Sequence, residues 1–149
     1  MSKIYVASSW RNDLQPHIVE ALRDSGHEVY DFRHPEPGND GFRWSALDEH
    51  WLSWTPRAFI DALNDPIAID GFTLDRSALD WCDTCVLVLP CGRSAHLEAG
   101  YAVGRGKRTI GLLSEVQFEP ELMYRFFDRL VTNISDLIAA CGGATPTAA

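Results

Sequence analysis

Basic residues are in short supply in this sequence: 13 Lys and Arg stand against 21 Asp and Glu, a formal net charge of −8. Duplex nucleic acid is held largely by clustered Lys and Arg that neutralise its phosphates. The deficit therefore excludes a surface for polymeric nucleic acid and leaves room only for a single nucleotide in a local basic pocket. A long apolar run is missing from the start of the chain. MSKIYVASSW offers one Lys and then a short apolar stretch, too brief for a signal-peptide core or a membrane span. The expectation is a cytoplasmic protein with no membrane partner. Internal repeats, long low-complexity segments and linkers between two self-sufficient cores are lacking as well. The 149 residues are thus expected to form one domain, 1–149.

Cysteine is sparse, with four in the chain. Cys82 and Cys85 form a CxxC pair, and Cys91 and His96 follow, which invites a metal reading. Yet Cys85 opens the run Cys85-Val86-Leu87-Val88-Leu89, which reads as a buried strand and points such ligands to different faces. Reduced, packed thiols are the better explanation. No metal and no organic cofactor is expected.

What is present is the composition of an ordinary soluble fold, 46% hydrophobic and 23% charged. Lys3 to Ser8 is β-rich and is followed by a helical stretch with Ile18, Val19 and Leu22 as its buried stripe and Gly26 as its end. His27 to Phe32 reads as a second strand, which makes the start of the chain a βαβ unit. Between Arg33 and Gly71, Pro35, Pro37 and Gly38 break structure and Trp44, Trp51 and Trp54 crowd together. This insertion is either a lid or a surface excursion. Within it Pro56 opens a helix after Thr55, and Asn64-Asp65-Pro66 stops it. A further helix is expected from about Gly71 to Trp81.

The most informative stretch follows: a strand Thr84 to Leu89, a loop at Pro90-Cys91-Gly92-Arg93, a helix from about Ser94, and a strand Arg108 to Leu113. Arg129 to Asn133 reads as a last strand, with Ser135 or Asp136 capping a closing helix that carries Leu137 and Ile138. The tail from about 142 to 149 reads as frayed. The whole pattern predicts a doubly wound α/β fold, a five-stranded parallel sheet with helices on both faces.

In such a sheet the ligand crevice lies beyond the carboxyl ends of the strands, where the loops after Ser8, Phe32 and Leu89 gather. There Gly92 relaxes the backbone, Arg93 offers a fixed cation, Ser94 can cap the helix, and Glu98 lies one turn inside it. An acid near a helix start is also favoured by the macrodipole without any catalysis.

Three segments together resemble the nucleoside 2-deoxyribosyltransferase superfamily, whose members include 2′-deoxynucleoside 5′-monophosphate N-glycosidases. They are IYVASSW near the start, Asp75 ahead of Asp83, and CDTCVLVLPCGRSAHLEAGYAVGRGKRTIGL from Cys82 to Leu112. The resemblance covers roughly Lys3 to Leu113. It implies a flavodoxin- or Rossmann-like core, with Glu98 as catalytic nucleophile, Tyr5 as the tyrosine that holds it, and Asp75 near the base. It puts Ser9, Trp10 and Arg11 in a substrate-facing loop opposite Gly92, Arg93 and Ser94. Arg93 and Ser94, with Ser9 and Arg11, can supply contacts to a 5′-phosphate. Gly92 is a departure, because some transferases of the family carry an acid there that helps bind substrate.

The implied activity is cleavage of the N-glycosidic bond of a nucleoside or nucleoside 5′-monophosphate, by hydrolysis or by 2-deoxyribosyl transfer to another base. The implied assembly is a homodimer or larger oligomer, with Phe118 to Phe127 as a candidate interface. Each residue also has a plain reading: Asp75 as a helix-surface acid, Tyr5 as core packing, the arginines as surface charge. His96, two residues from Glu98, faces another side of the helix and reads as structural or subunit-facing. Two other functions compete, a nucleotide-binding or sensing module without turnover and an enzyme cleaving the nicotinamide bond of a dinucleotide. The second is weakened by the absence of GxGxxG after the first strand.

Overall fold

The structure, a computed structural model, describes residues 1–142; the frayed end expected beyond Gly142 lies outside the described residues. Along the chain run β1 (Lys3–Ala7), α1 (Gln15–Asp24), β2 (Glu28–Asp31), α2 (Pro56–Ala62), α3 (Pro66–Trp81), β3 (Thr84–Val88), α4 (Arg93–Gly104), β4 (Arg108–Leu112), β5 (Arg129–Val131) and α5 (Ile134–Cys141). Two compact units emerge, one of Met1–Asp31 with Leu79 onward, the other of Phe32–Ala78.

In the first unit the five strands form one sheet in the order β2-β1-β3-β4-β5, and every neighbouring pair is parallel. This is the expected doubly wound sheet, in the flavodoxin-like order whose switch point falls between β1 and β3. KIYVA and TCVLV read as nearly unbroken apolar runs because both faces of these strands are covered. On one face Ile4, Val6, Val86, Val88, Ile110 and Leu112 meet Ile18, Val19 and Leu22 of α1 and Leu137, Ala140 and Cys141 of α5. On the other, α4 packs against β1, β3 and β4 through Ala95, Ala99 and Ala102, all buried. Small residues at that spacing let the helix lie close to the sheet.

Gly26 ends α1 as expected, with φ at +92°, a conformation that only glycine adopts without strain. The closing helix differs in its cap: Asn133, placed in the last strand by the sequence, accepts from the backbone N–H of Asp136 at 2.8 Å, and its own amide donates to the Asp136 carboxylate at 2.9 Å. Neither Ser135 nor Asp136 is the N-cap, because the strand stops at Val131 and frees Asn133 for that role.

In the second unit Trp44 sits edge-on to Phe42, Trp54 and Phe59, with ring centroids 4.8, 5.7 and 5.7 Å away. The Trp54 indole N–H donates to Asp48 at 2.7 Å. The Trp-rich span therefore builds an aromatic cluster of its own. Thr55 caps α2 by accepting from the Ala58 N–H at 3.1 Å. The next helix starts at Pro66, earlier than Gly71, because Asp65 accepts from the Ile67 N–H at 2.9 Å. Asn64-Asp65-Pro66 both stops one helix and starts another, with Asp as cap and Pro at the first helical position.

Candidate active site

The crevice at the switch point is bordered by the loops after β1 and β3. Ser8, buried at the end of β1, donates from its hydroxyl to the Val88 carbonyl at 2.9 Å. Asn12, also buried, donates from its side-chain amide to the Pro90 carbonyl at 3.1 Å and accepts from the Leu14 N–H at 2.9 Å. One Asn thus ties the two loops together and shapes the entry to α1. The sequence reading missed it; an Asx turn just ahead of a helix was the available signal.

This tie brings Ser9, Trp10 and Arg11 to the same end of the sheet as Gly92, Arg93 and Ser94. Ser9 is half-buried and accepts from the Arg11 N–H at 3.1 Å, while Trp10 and Arg11 are exposed. Gly92, Arg93 and Ser94 are all exposed. Two local expectations are corrected here. Gly92 itself is the N-cap of α4, with φ −93° and ψ −157°, an extended backbone open to any residue, so it does not relax the chain. Ser94 is not a cap but lies within the first turn, since the helix begins one residue earlier, at Arg93.

Glu98 is half-buried on α4, beside the stripe formed by Ala95, Ala99 and Ala102. Its charge reaches two thiols. Cys91 is pushed up to about 12, first by burial and then by Glu98. Cys85, fully buried in β3, is pushed well above the usual thiol range by burial, then by Cys82, then by Glu98. Three residues after Ala95 and four before Ala102, both buried against the sheet, Glu98 stands at the edge of the sheet-facing side of its helix.

Tyr5 is fully buried and sits opposite Cys85 in the parallel register, which directs both side chains to the face that α4 covers. Its ring stacks on Tyr30 with centroids 5.1 Å apart. Tyr5, Cys85 and Glu98 thus share one side of the sheet. Asp75 lies on α3 in the second unit, half-buried.

His96 uses both ring nitrogens on protein groups. Nδ1 lies 2.7 Å from the Gly92 carbonyl and Nε2 lies 2.9 Å from the Tyr124 hydroxyl; Cys91 Sγ is 3.7 Å from Nδ1. This agrees with its reading as a structural histidine. Cys91, which the sequence offers as a metal ligand or a packed thiol, and Tyr124, which it does not single out, both meet the His96 ring. Tyr124 was hidden because it comes from a 3₁₀ turn, Leu122–Phe126, far from Glu98 in the chain.

Cys82, Cys85, Cys91 and Cys141 are free thiols. Among the described residues no three His, Cys, Asp or Glu side chains are grouped to hold a metal ion, and no helix is long and apolar enough to cross a membrane.

The same doubly wound α/β fold is found in several solved structures. Among solved structures, a 2-deoxyribosyltransferase from the psychrotolerant bacterium Bacillus psychrosaccharolyticus superposes with a TM-score of 0.64 at 20% identity, over 92% of this chain and 90% of that one. A conserved protein from Enterococcus faecalis V583 gives 0.57 at 16% identity, over 93% and 96%. The CMP N-glycosidase BcmB from Clostridium botulinum gives 0.51 at 16% identity, over 93% and 97%. No protein-family model and no curated protein matches the sequence. The superfamily resemblance carried by IYVASSW and the Cys82–Leu112 segment is thus met at the level of the fold.

Proposed function

We propose that the chain cleaves the N-glycosidic bond of a nucleoside or nucleoside 5′-monophosphate, with Glu98 as nucleophile. The observation that carries this reading is the position of Glu98: a carboxylate near the carboxyl end of β3, on the sheet face shared with Tyr5, at the switch point of a fold shared with a deoxyribosyltransferase and a CMP N-glycosidase. Fold alone leaves function open; a half-buried carboxylate on the helix that follows β3 supports the glycosidic reading.

A carboxylate oxygen of Glu98 attacks the anomeric carbon as the bond to the base nitrogen breaks, through an oxocarbenium-like state. The bonding electrons leave with the base, which takes a proton. Asp75 has the role of orienting that base or sharing the proton, and the Tyr5 hydroxyl that of orienting Glu98. Water, or a second base, then attacks the same carbon and releases the carboxylate. Hydrolysis of a 5′-monophosphate is favoured over transfer. Arg93 and the exposed first turn of α4 offer a cation and helix-end amides to a phosphate, and Gly92 stands where some transferases of the resembled family carry an acid.

We further propose that a second copy of the chain covers the segment from Phe118 to Phe127, where Phe118, Leu122, Met123 and Phe126 are exposed; a patch of that kind is a common contact surface. Sedimentation of the wild type against Leu122→Glu tests it.

The deciding experiment is chromatography of free base released from a panel of nucleosides and 5′-monophosphates, with and without an acceptor base. Release by wild type and its loss, on the order of 10³-fold or more, in Glu98→Ala supports the reading. No release by folded wild type from any substrate refutes it and moves the protein to the binding modules.

A further inference from the structure

The start of α4 has no side-chain cap, since its N-cap is a glycine. Something else must hold the Cys91–Gly92 turn. On one side Asn12 grips Pro90. On the other the Gly92 carbonyl lies 2.7 Å from His96 Nδ1. A carbonyl only accepts, so Nδ1 carries the proton, and in the neutral ring Nε2 is bare and accepts from the Tyr124 hydroxyl at 2.9 Å. The Gly92 carbonyl thereby sets the direction of the Tyr124 hydrogen bond.

Tyr124 is itself braced. Its ring stacks on His96 with centroids 5.7 Å apart and on Phe127 at 5.6 Å. Phe127 lies against Gly111 of β4 so closely that a Cβ there would stand 3.0 Å from its ring. Just beyond, the Asp128 N–H donates to the Thr109 carbonyl at 2.9 Å, and its carboxylate accepts from the Thr109 N–H at 2.8 Å. An unbroken line of contacts runs from the sheet through Phe127, Tyr124 and His96 to the Gly92 carbonyl.

We propose that His96 and Tyr124 form a latch that holds the Cys91–Gly92 turn and the first turn of α4 in place, and so positions Glu98. The inference rests on the glycosidic reading for what the latch serves. Both are positioning residues: they act on the backbone that carries the carboxylate. Misplacement of a reacting group by about 1 Å costs on the order of 100-fold in rate, and Gly92 is the N-cap of the helix that carries Glu98.

The variants are chosen by which atom they keep. Tyr124→Phe retains both ring stacks and removes only the hydroxyl. In His96→Asn the side-chain amide overlays Nδ1 and still donates to Gly92, while the hydrogen bond to Tyr124 and the stack on its ring are lost. Both variants cut that hydrogen bond, and the double variant cuts nothing that His96→Asn has not already cut. The latch therefore predicts, with nucleoside substrates that make no use of the α4 amides, a fall in kcat of about 10- to 100-fold in each single variant, the same fall in the double variant, and KM within about twofold in all three. A pair that matters only for packing gives additive losses or none.

A second measurement needs no turnover. Amide hydrogen exchange across Cys91–Glu98 of the unliganded protein accelerates in both variants if the latch holds the turn. Unchanged exchange overturns the latch whatever the kinetics. Faster exchange with unchanged kcat overturns the positioning of Glu98. Absence of base release by wild type removes the glycosidic reading, and the exchange rates then decide the latch alone.

Discussion

The negative charge of Glu98 adds to burial in keeping the proton on the Cys91 thiol. Burial is the larger cause and Glu98 the second, and together they push Cys91 to about 12. The sign is fixed: removing the negative charge lowers the thiol, because the thiolate no longer faces a like charge. Glu98→Gln is expected to speed alkylation of Cys91 at pH 9 by roughly two- to tenfold, measured by peptide mass spectrometry with Cys91→Ser to assign the site. An unchanged rate means that the two groups are not neighbours in solution.

Gly92 offers a test of the phosphate preference. Its backbone angles suit any residue, and a Cβ built there meets nothing within 4 Å. Gly92→Asp is expected to fold and to gain a few tenths of a kcal/mol, since Asp is a better N-cap than Gly. The new carboxylate occupies the amides at the start of α4 and repels an anion. KM for 5′-monophosphates rises about tenfold or more while KM for the matching nucleosides holds. Equal effects on both substrate classes place the phosphate elsewhere.

The sheet was legible in the sequence because strand signals there are strong and local: KIYVA, TCVLV and RTIGL are apolar runs of strand length bounded by turn residues. Helix starts were less legible. Asp65-Pro66 and Asn133 each carry a signal for both a stop and a start, and only tertiary packing decides which prevails. The segment around Glu98 was legible through its resemblance to a family. Asn12 and Tyr124 were not, because their partners, Pro90 and His96, are distant in the chain and a hydrogen bond between such residues leaves no periodic trace. Cys91 reads in the sequence as a metal ligand or a packed thiol, and its approach to the His96 ring, 3.7 Å from Nδ1, shows only in the fold.

Gly111 is held to a small residue by its surroundings. A Cβ at this position of β4 would stand 2.8 Å from a Leu130 methyl and 3.0 Å from the Phe127 ring. Leu130 is partly exposed and gives way readily; Phe127 is held in the stack with Tyr124. Gly111→Ala is expected to destabilise the fold by about 1–3 kcal/mol through overpacking, read by urea denaturation. It also strains the His96–Tyr124 latch from the sheet side, so hydrogen exchange at Cys91–Glu98 rises with it. A variant as stable as wild type shows that Phe127 is free to move.

His27 ties acid sensitivity to one edge of the sheet. Its Nδ1 accepts from the Ser2 backbone N–H at 3.0 Å, just ahead of β1. That bond exists only while Nδ1 is unprotonated. Burial lowers the ring below its ordinary value of 6.5, the positive N-terminus lowers it further, and Asp83 opposes both. Between the lowered folded value and 6.5 the unfolded chain binds a proton that the folded chain refuses, so stability rises with pH across that window. The contribution is complete above the unfolded value, declines as the pH falls below it, and stops declining once the folded value is passed. His27→Asn keeps an acceptor for the Ser2 amide and cannot be protonated there. Wild type is expected to lose more in Tm between pH 7.5 and pH 5.5 than the variant does, measured by thermal unfolding in matched ionic strength. Equal losses in the two proteins assign the acid sensitivity to other groups and show that the Ser2 contact does not depend on His27 being neutral.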